Sequence, residues 1–274
     1  MLRDARAAAA VARKNLRVVR RYPVMFGAML IVPLYQLVIP SLLLGVTFLV
    51  GGRALGLEST AGTGNLAGFL FLGGFLTSLV YGVFWGVAWG VQQEMETGTL
   101  ETVWLLGARP AAMVVGDALS ALLVAALAGL AMLGVGALAF HASYLATALY
   151  ALPVLLILLV SLTGVAFLVT AAVLALRETS LLIDLASLGL LMASGVMFPI
   201  TVLPIAAQVL ALALPTTLAL DILRFYGLGS RSLLPLPAEY VLMAASALLL
   251  LLVGRAVFER TVRRTLARGT LGFH

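Results

Sequence analysis

Long apolar stretches alternate with short polar ones along most of the chain. The first apolar stretch runs from about Val24 to Val50 and tolerates Pro33 and Pro40, as a packed membrane helix can. A Gly-rich polar loop, residues 51–65, separates it from a second stretch, Leu66 to Val91. A polar segment, 92–110, precedes a third, Ala112 to Phe140. A short loop at 141–147 leads to a fourth, Leu149 to Leu176, and the turn 177–180 leads to a fifth, Leu181 to Phe198. The last clear stretch runs from Tyr240 to Phe258, before a polar tail. A spanning helix needs about 20 apolar residues, so the pattern predicts six spans.

Two segments depart from this rhythm. In residues 1–22, Arg6, Arg13, Arg17 and Arg20 recur at helical spacing opposite Ala8, Ala12, Leu16 and Val19. This predicts an amphipathic helix lying on the membrane surface. Residues 199–237 are apolar in part but are divided by Pro199, Pro204, Pro215, Pro235 and Pro237. Charge decides how to read them. With six spans, one side carries the seven basic residues of the N-terminal helix, Arg109, Arg177 and the five C-terminal arginines; the other carries Arg53, Arg224 and Arg231. The positive-inside rule makes the richer side cytoplasmic. A span within 205–227 would send the C-terminal arginines outside, so 199–237 reads as an outer re-entrant hairpin shaped by Pro199, Pro204 and Pro215. The expected organisation is an interfacial helix, 1–22, followed by a six-span all-α membrane domain, 23–274, with both termini cytoplasmic.

Composition agrees. Of 274 residues, 63% are apolar and 10% charged, against roughly 25% charged in a soluble domain; the mean hydropathy is +1.15. No room is left for a separate soluble domain, and no cleavable signal peptide is visible. The net charge of +6 suits orientation and contact with anionic lipid better than nucleic acid. No cysteine is present, which excludes disulfides and thiolate metal sites.

Catalytic patterns are missing. The single lysine, Lys14, has no Gly-rich loop before it, so there is no P-loop. His141 and His274 cannot form a zinc-protease motif, Met192 stands where a rhomboid-type serine motif needs glycine before Ser194-Gly195, and Val114 spoils a Gly-x-Gly-Asp motif at Gly116-Asp117. No metal site is expected. The ionisable residues inside the domain, including Asp117 and Asp184, fall near predicted span ends. That disfavours the alternative of an ion-coupled secondary transporter, which would keep such groups at the midplane. A non-transporting membrane assembly factor is a further alternative. Asp221 and Arg224, three residues apart, read as a local ion pair.

Two features point to partners. Residues 92–110 place Glu94, Glu96 and Glu101 around Thr97-Gly98-Thr99-Leu100 on the side that topology reserves for basic residues. A helix capped by Thr97 or Thr99 would put Leu100, Val103 and Trp104 on one face, which reads as a docking surface. Gly82, Gly86 and Gly90, flanked by Trp85 and Trp89, form a small-residue stripe suited to close helix approach, either within one subunit or at an interface or path.

The run EMETGTLETVWLLGARP, 94–110, resembles the cytoplasmic segment of the type 2 (ABC-2) family of ABC exporter permeases, with its acidic-x-Gly-Thr-Leu-Glu pattern. SGVMFPITVLP, 194–204, continuing to ALPTTLALDILR, 213–224, resembles that family's fifth span and outer re-entrant helices. Thr97 and Asp117 depart from the basic residues common there. The resemblance implies a plasma (inner) membrane protein of a prokaryote, working as a pair of permeases, homodimeric or heterodimeric, with two separate ATPase subunits. ATP and magnesium would belong to those partners, with no cofactor in this chain. Glu94, Glu96, Thr97, Gly98, Thr99, Leu100, Glu101 and Trp104 would form the coupling helix. Arg13, Lys14, Arg17, Arg177 and Glu178 would give secondary contacts to the ATPase or the lipid surface.

Overall fold

The computed structural model describes residues 2–21, 27, 31, 34–39, 42–43, 49–50, 53–98, 109–140, 145–176 and 180–268. Most of the first expected span lies outside them. The described elements are, in order, α1 (Leu2–Arg21), a π-helical turn at Leu34–Val38, and a two-residue antiparallel pairing of β1 (Leu49–Val50) with β2 (Arg53–Ala54). Then come α2 (Leu55–Ala61), α3 (Leu66–Glu96), α4 (Pro110–Phe140), α5 (Leu145–Leu176) and α6 (Ser180–Ala193). A 3-10 turn at Ile200–Val202 precedes α7 (Ile205–Leu212), α8 (Pro215–Leu228) and α9 (Leu236–Arg268).

The chain is a helical membrane protein. Among the described residues, α3, α4, α5 and α9 are each long and apolar enough to cross a bilayer. The centre is α3. Asn65 caps it, accepting the Gly68 N–H at 2.8 Å, and nearly every side chain from Gly68 to Phe84 is buried. Its far end closes where the Thr97 hydroxyl donates to the Gln93 carbonyl at 2.8 Å and Gly98 takes φ +67°, a left-handed stop that glycine accepts freely.

Small residues set the helix crossings, because helices in lipid associate through close packing rather than the hydrophobic effect. Side chains added at Gly82 and Gly86 of α3 would meet Ala125 and Ala121 of α4. On the opposite flank α5 and α9 cross backbone to backbone: a Cβ at Gly164 would lie 2.7 Å from the Leu250 carbonyl carbon, and one at Gly254 would strike the Gly164 carbonyl. Outward side chains such as Leu123, Leu127, Leu249 and Leu252 are half exposed, as lipid-facing positions should be.

One element is shorter than the sequence expectation. The fifth apolar stretch is helical only over Ser180–Ala193, 14 residues. At 1.5 Å rise it reaches about 21 Å, short of a core about 30 Å thick. It ends because Gly195 adopts φ +70° and Pro199 follows, turning the chain before Phe198. The Pro-divided region forms α7 and α8, bent by 89° at the break. Pro204 and Pro215 stand at their N-terminal ends and Pro199 immediately before the 3-10 turn, where a missing N–H costs nothing.

Candidate functional site

At one end of the bundle, α1 lies across the start of α4 and the end of α3. Gly116 makes the approach possible, since a Cβ there would sit 2.6 Å from the Ala8 carbonyl and 2.8 Å from the Val11 Cβ. The contact face of α1 is therefore Ala8, Val11 and Asn15, rotated slightly from the apolar stripe read in the sequence, and it packs on protein. Asn15 donates to the Asp117 carboxylate at 2.8 Å and to the Ser120 hydroxyl at 2.9 Å. The neighbouring Lys14 ammonium pairs with Glu94 at 2.5 Å. Successive residues of α1 thus tie the last turn of α3 to the first turns of α4, the two flanks of the 97–109 segment. Beneath them lies a cavity of about 10 Å³ lined by Glu94, Met113, Asp117, Thr170 and Phe258.

Of the coupling-loop residues, Glu94 is half-buried and paired, and Glu96 is exposed and accepts from Gln92 at 3.2 Å. Thr97 and Gly98 close α3. Thr99, Leu100, Glu101 and Trp104 lie outside the described residues, as do Arg177 and Glu178. Arg13 and Arg17 are exposed on α1. Gly82 and Gly86 face α4, whereas Gly90 points into open space. Sequence reasoning singled out none of Asn15, Asp117 and Ser120 for this junction; the one available signal was an asparagine directly after the lone lysine of a basic helix.

The opposite end is organised by Arg224. Its guanidinium donates to the carbonyls of Gly195 at 2.7 Å, Val196 at 2.9 Å and Phe69 at 3.1 Å, and lies 3.3 Å above the Phe69 ring. Asp221 is not among these contacts; it accepts the Leu233 N–H at 2.9 Å. Asp221 still attracts Arg224, but the guanidinium's hydrogen bonds go to a carbonyl cage, two of whose members, Gly195 and Val196, lie in the turn after α6 and have no helical partner. Ser194 and Thr216 hydroxyls bond at 2.6 Å beside it. A cavity of about 40 Å³, lined by Ser194, Ile200, Asp221, Arg224, Ser230 and Leu233, adjoins the cage. The two quoted stretches, 194–204 and 213–224, meet here.

Asp184 lies in the first turns of α6. Tyr81 faces Ser187 and feels the Asp184 carboxylate, and Tyr81 is the midpoint of α3. Asp184 is one turn from Ser187 and one turn from Ser180, the first residue of α6.

A helical membrane protein built from close-packed spans and two organised ends is the class this geometry defines. Residues 7–226 match the ABC-2 type transporter family, and the chain belongs to that family: it is a membrane subunit of an ABC transporter. No curated protein matches the chain significantly.

Proposed function

We propose that the chain is half of the membrane part of an ATP-driven exporter and is driven by a separate ATPase through residues 94–110. The observation that carries this reading is the junction in which Lys14 and Asn15 hold Glu94 and Asp117. A force applied to the loop between α3 and α4 would reach both helices and α1 together, as rigid-body gating requires. Leu100 and Trp104 would enter a cleft of the ATPase, with Glu94, Glu96 and Glu101 at its rim. Arg13, Arg17, Arg177 and Glu178 would supply flanking contacts to the ATPase or to anionic headgroups. Two permease copies and two ATPases would complete the transporter, with ATP and magnesium on the ATPase. The full count is six spans, with 24–50 as the first, α6 as a short fifth, and α7–α8 as an outer re-entrant hairpin. The basic ends favour the cytoplasmic side for both termini, in the plasma membrane of a prokaryotic cell.

The test is co-purification with a P-loop ATPase encoded beside this chain. Wild type is expected to retain the ATPase and ATP-dependent transport, and Leu100→Asp and Glu101→Arg to lose both while still inserting. Indifference of the complex to both changes would refute docking through this loop.

A further inference from the structure

The cavity beside the Arg224 cage is lined by polar groups that the fold itself does not use. Gly229 ends α8 at φ +63°, a left-handed conformation that glycine enters freely. Ser230 follows and is 4% exposed. The next N–H, that of Arg231, donates to the Ala61 carbonyl at 2.8 Å. The Arg231 stem lies against Gly62, also left-handed at φ +77°, where a Cβ would come 2.7 Å from the Arg231 Cγ. Two glycines thus seat a buried hydroxyl and an exposed guanidinium in the same lining as Arg224 and Asp221.

This lining is short of acceptors. Arg224 donates to its three carbonyls through Nη1 and Nη2. Its Nε is buried with no hydrogen-bond partner among the described residues, and so is the Ser230 hydroxyl. Buried donors left unpaired are unfavourable, so the cavity calls for an acceptor. Charge and size define it. Two guanidinium groups line the cavity against one carboxylate, Asp221, whose Oδ2 already accepts the Leu233 N–H at 2.9 Å. The excess of positive charge favours an anion over a neutral acceptor. The cavity measures about 40 Å³; one water needs about 10–15 Å³, so there is room for about three water-sized atoms. A carboxylate group is that size and matches guanidinium donors in shape, whereas a phosphate is larger and more highly charged.

We propose that this cavity is a binding site for a carboxylate group, held by Arg224 Nε, the Ser230 hydroxyl and the Arg231 guanidinium. The group belongs to a free small acid or to the head of an amphiphile, and its chemistry at the site is the same in either case. The proposal stands apart from the transporter reading.

The test uses the full chain in maltoside micelles, which carry no anionic headgroup. Saturation-transfer NMR on the methyl signal compares acetate with acetamide, its uncharged counterpart of the same shape, after subtracting empty micelles. Saturable signal is expected for acetate only. Arg231→Gln and Ser230→Ala should each weaken it by about fivefold or more, and Arg231→Lys by less than about threefold. Arg224 is left intact because it holds the fold. Thermal unfolding without ligand identifies any variant that misfolds; should Ser230→Ala do so, Arg231→Gln and Arg231→Lys, which change only an exposed head, carry the comparison. Displacement of acetate by octanoate at lower concentration would mark an amphiphile's head, and displacement at equal concentration a free acid; both support the site. Equal signal from acetate and acetamide, or no saturable signal, would overturn the proposal and leave a cavity that holds water only. Unchanged affinity in the Arg231→Gln and Ser230→Ala variants, or displacement of acetate by methyl phosphate at lower concentration, would overturn it as well. None of these outcomes bears on ATPase co-purification, so this proposal and the transporter reading fail separately.

Discussion

The two ends of the bundle are built on opposite principles. At the Arg224 end a buried cation satisfies three backbone carbonyls from two segments far apart in sequence. Every hydrogen-bond partner of the guanidinium is main chain, so the joint cannot open without leaving polar groups unpaired in an apolar interior. At the α1 end the joint is made of side chains, Lys14 to Glu94 and Asn15 to Asp117 and Ser120. Lys14 is half exposed, and water can replace what α1 provides. The contrast separates a structural lock from a contact that can be rearranged, and puts the rearrangeable one beside the loop proposed to meet the ATPase.

Breaking the lock should have the largest effect. Arg224→Ala orphans the carbonyls of Gly195 and Val196 and removes a second donor from that of Phe69, and loss of one partner of a buried charged network costs about 3–5 kcal/mol. Thermal unfolding in detergent should show it, with Arg224→Lys in between because an ammonium cannot fork to three acceptors in one plane. Asn15→Leu should cost about 1–3 kcal/mol, the range for leaving a buried acceptor unsatisfied. Its signature should be local: limited trypsinolysis within α1 speeds up while cleavage elsewhere is unchanged. Lys14→Ala removes a pair whose lysine is exposed and whose carboxylate is half-buried, and should cost about 1 kcal/mol, a difference that shrinks at high salt. The smallest effect tests the glycine stripe. Gly90→Ala meets nothing and should be neutral or stabilising by about 0.5–1 kcal/mol, whereas Gly82→Ala, which strikes Ala125, should destabilise. A loss of stability in Gly90→Ala would place that position at an interface with another chain.

These differences trace how far the sequence could be read. The bodies of α3, α4, α5 and α9 follow from unbroken apolar runs, and their ends from Asn65, Gly98, Pro110 and the polar residues around 177. The length of α6 does not follow from hydropathy, since Val196, Met197 and Phe198 are as apolar as a span; the left-handed Gly195 decides it. Arg224 was read as a helical neighbour of Asp221 because spacing is visible in a sequence and a carbonyl 155 residues away is not. The same blindness hides Asn15, whose partners are more than 100 residues distant. The acidic loop at 94–110 was legible because its charge opposes the topological trend.

Hydrogen–deuterium exchange of the nanodisc-embedded chain, with and without its ATPase, tests the proposed docking most directly. If the ATPase docks through the α3–α4 loop, residues 92–110 and α1 gain protection while residues 194–230 around Arg224 stay unchanged. Protection confined to the Arg224 end, or absent from 92–110 in a complex that forms, would contradict it.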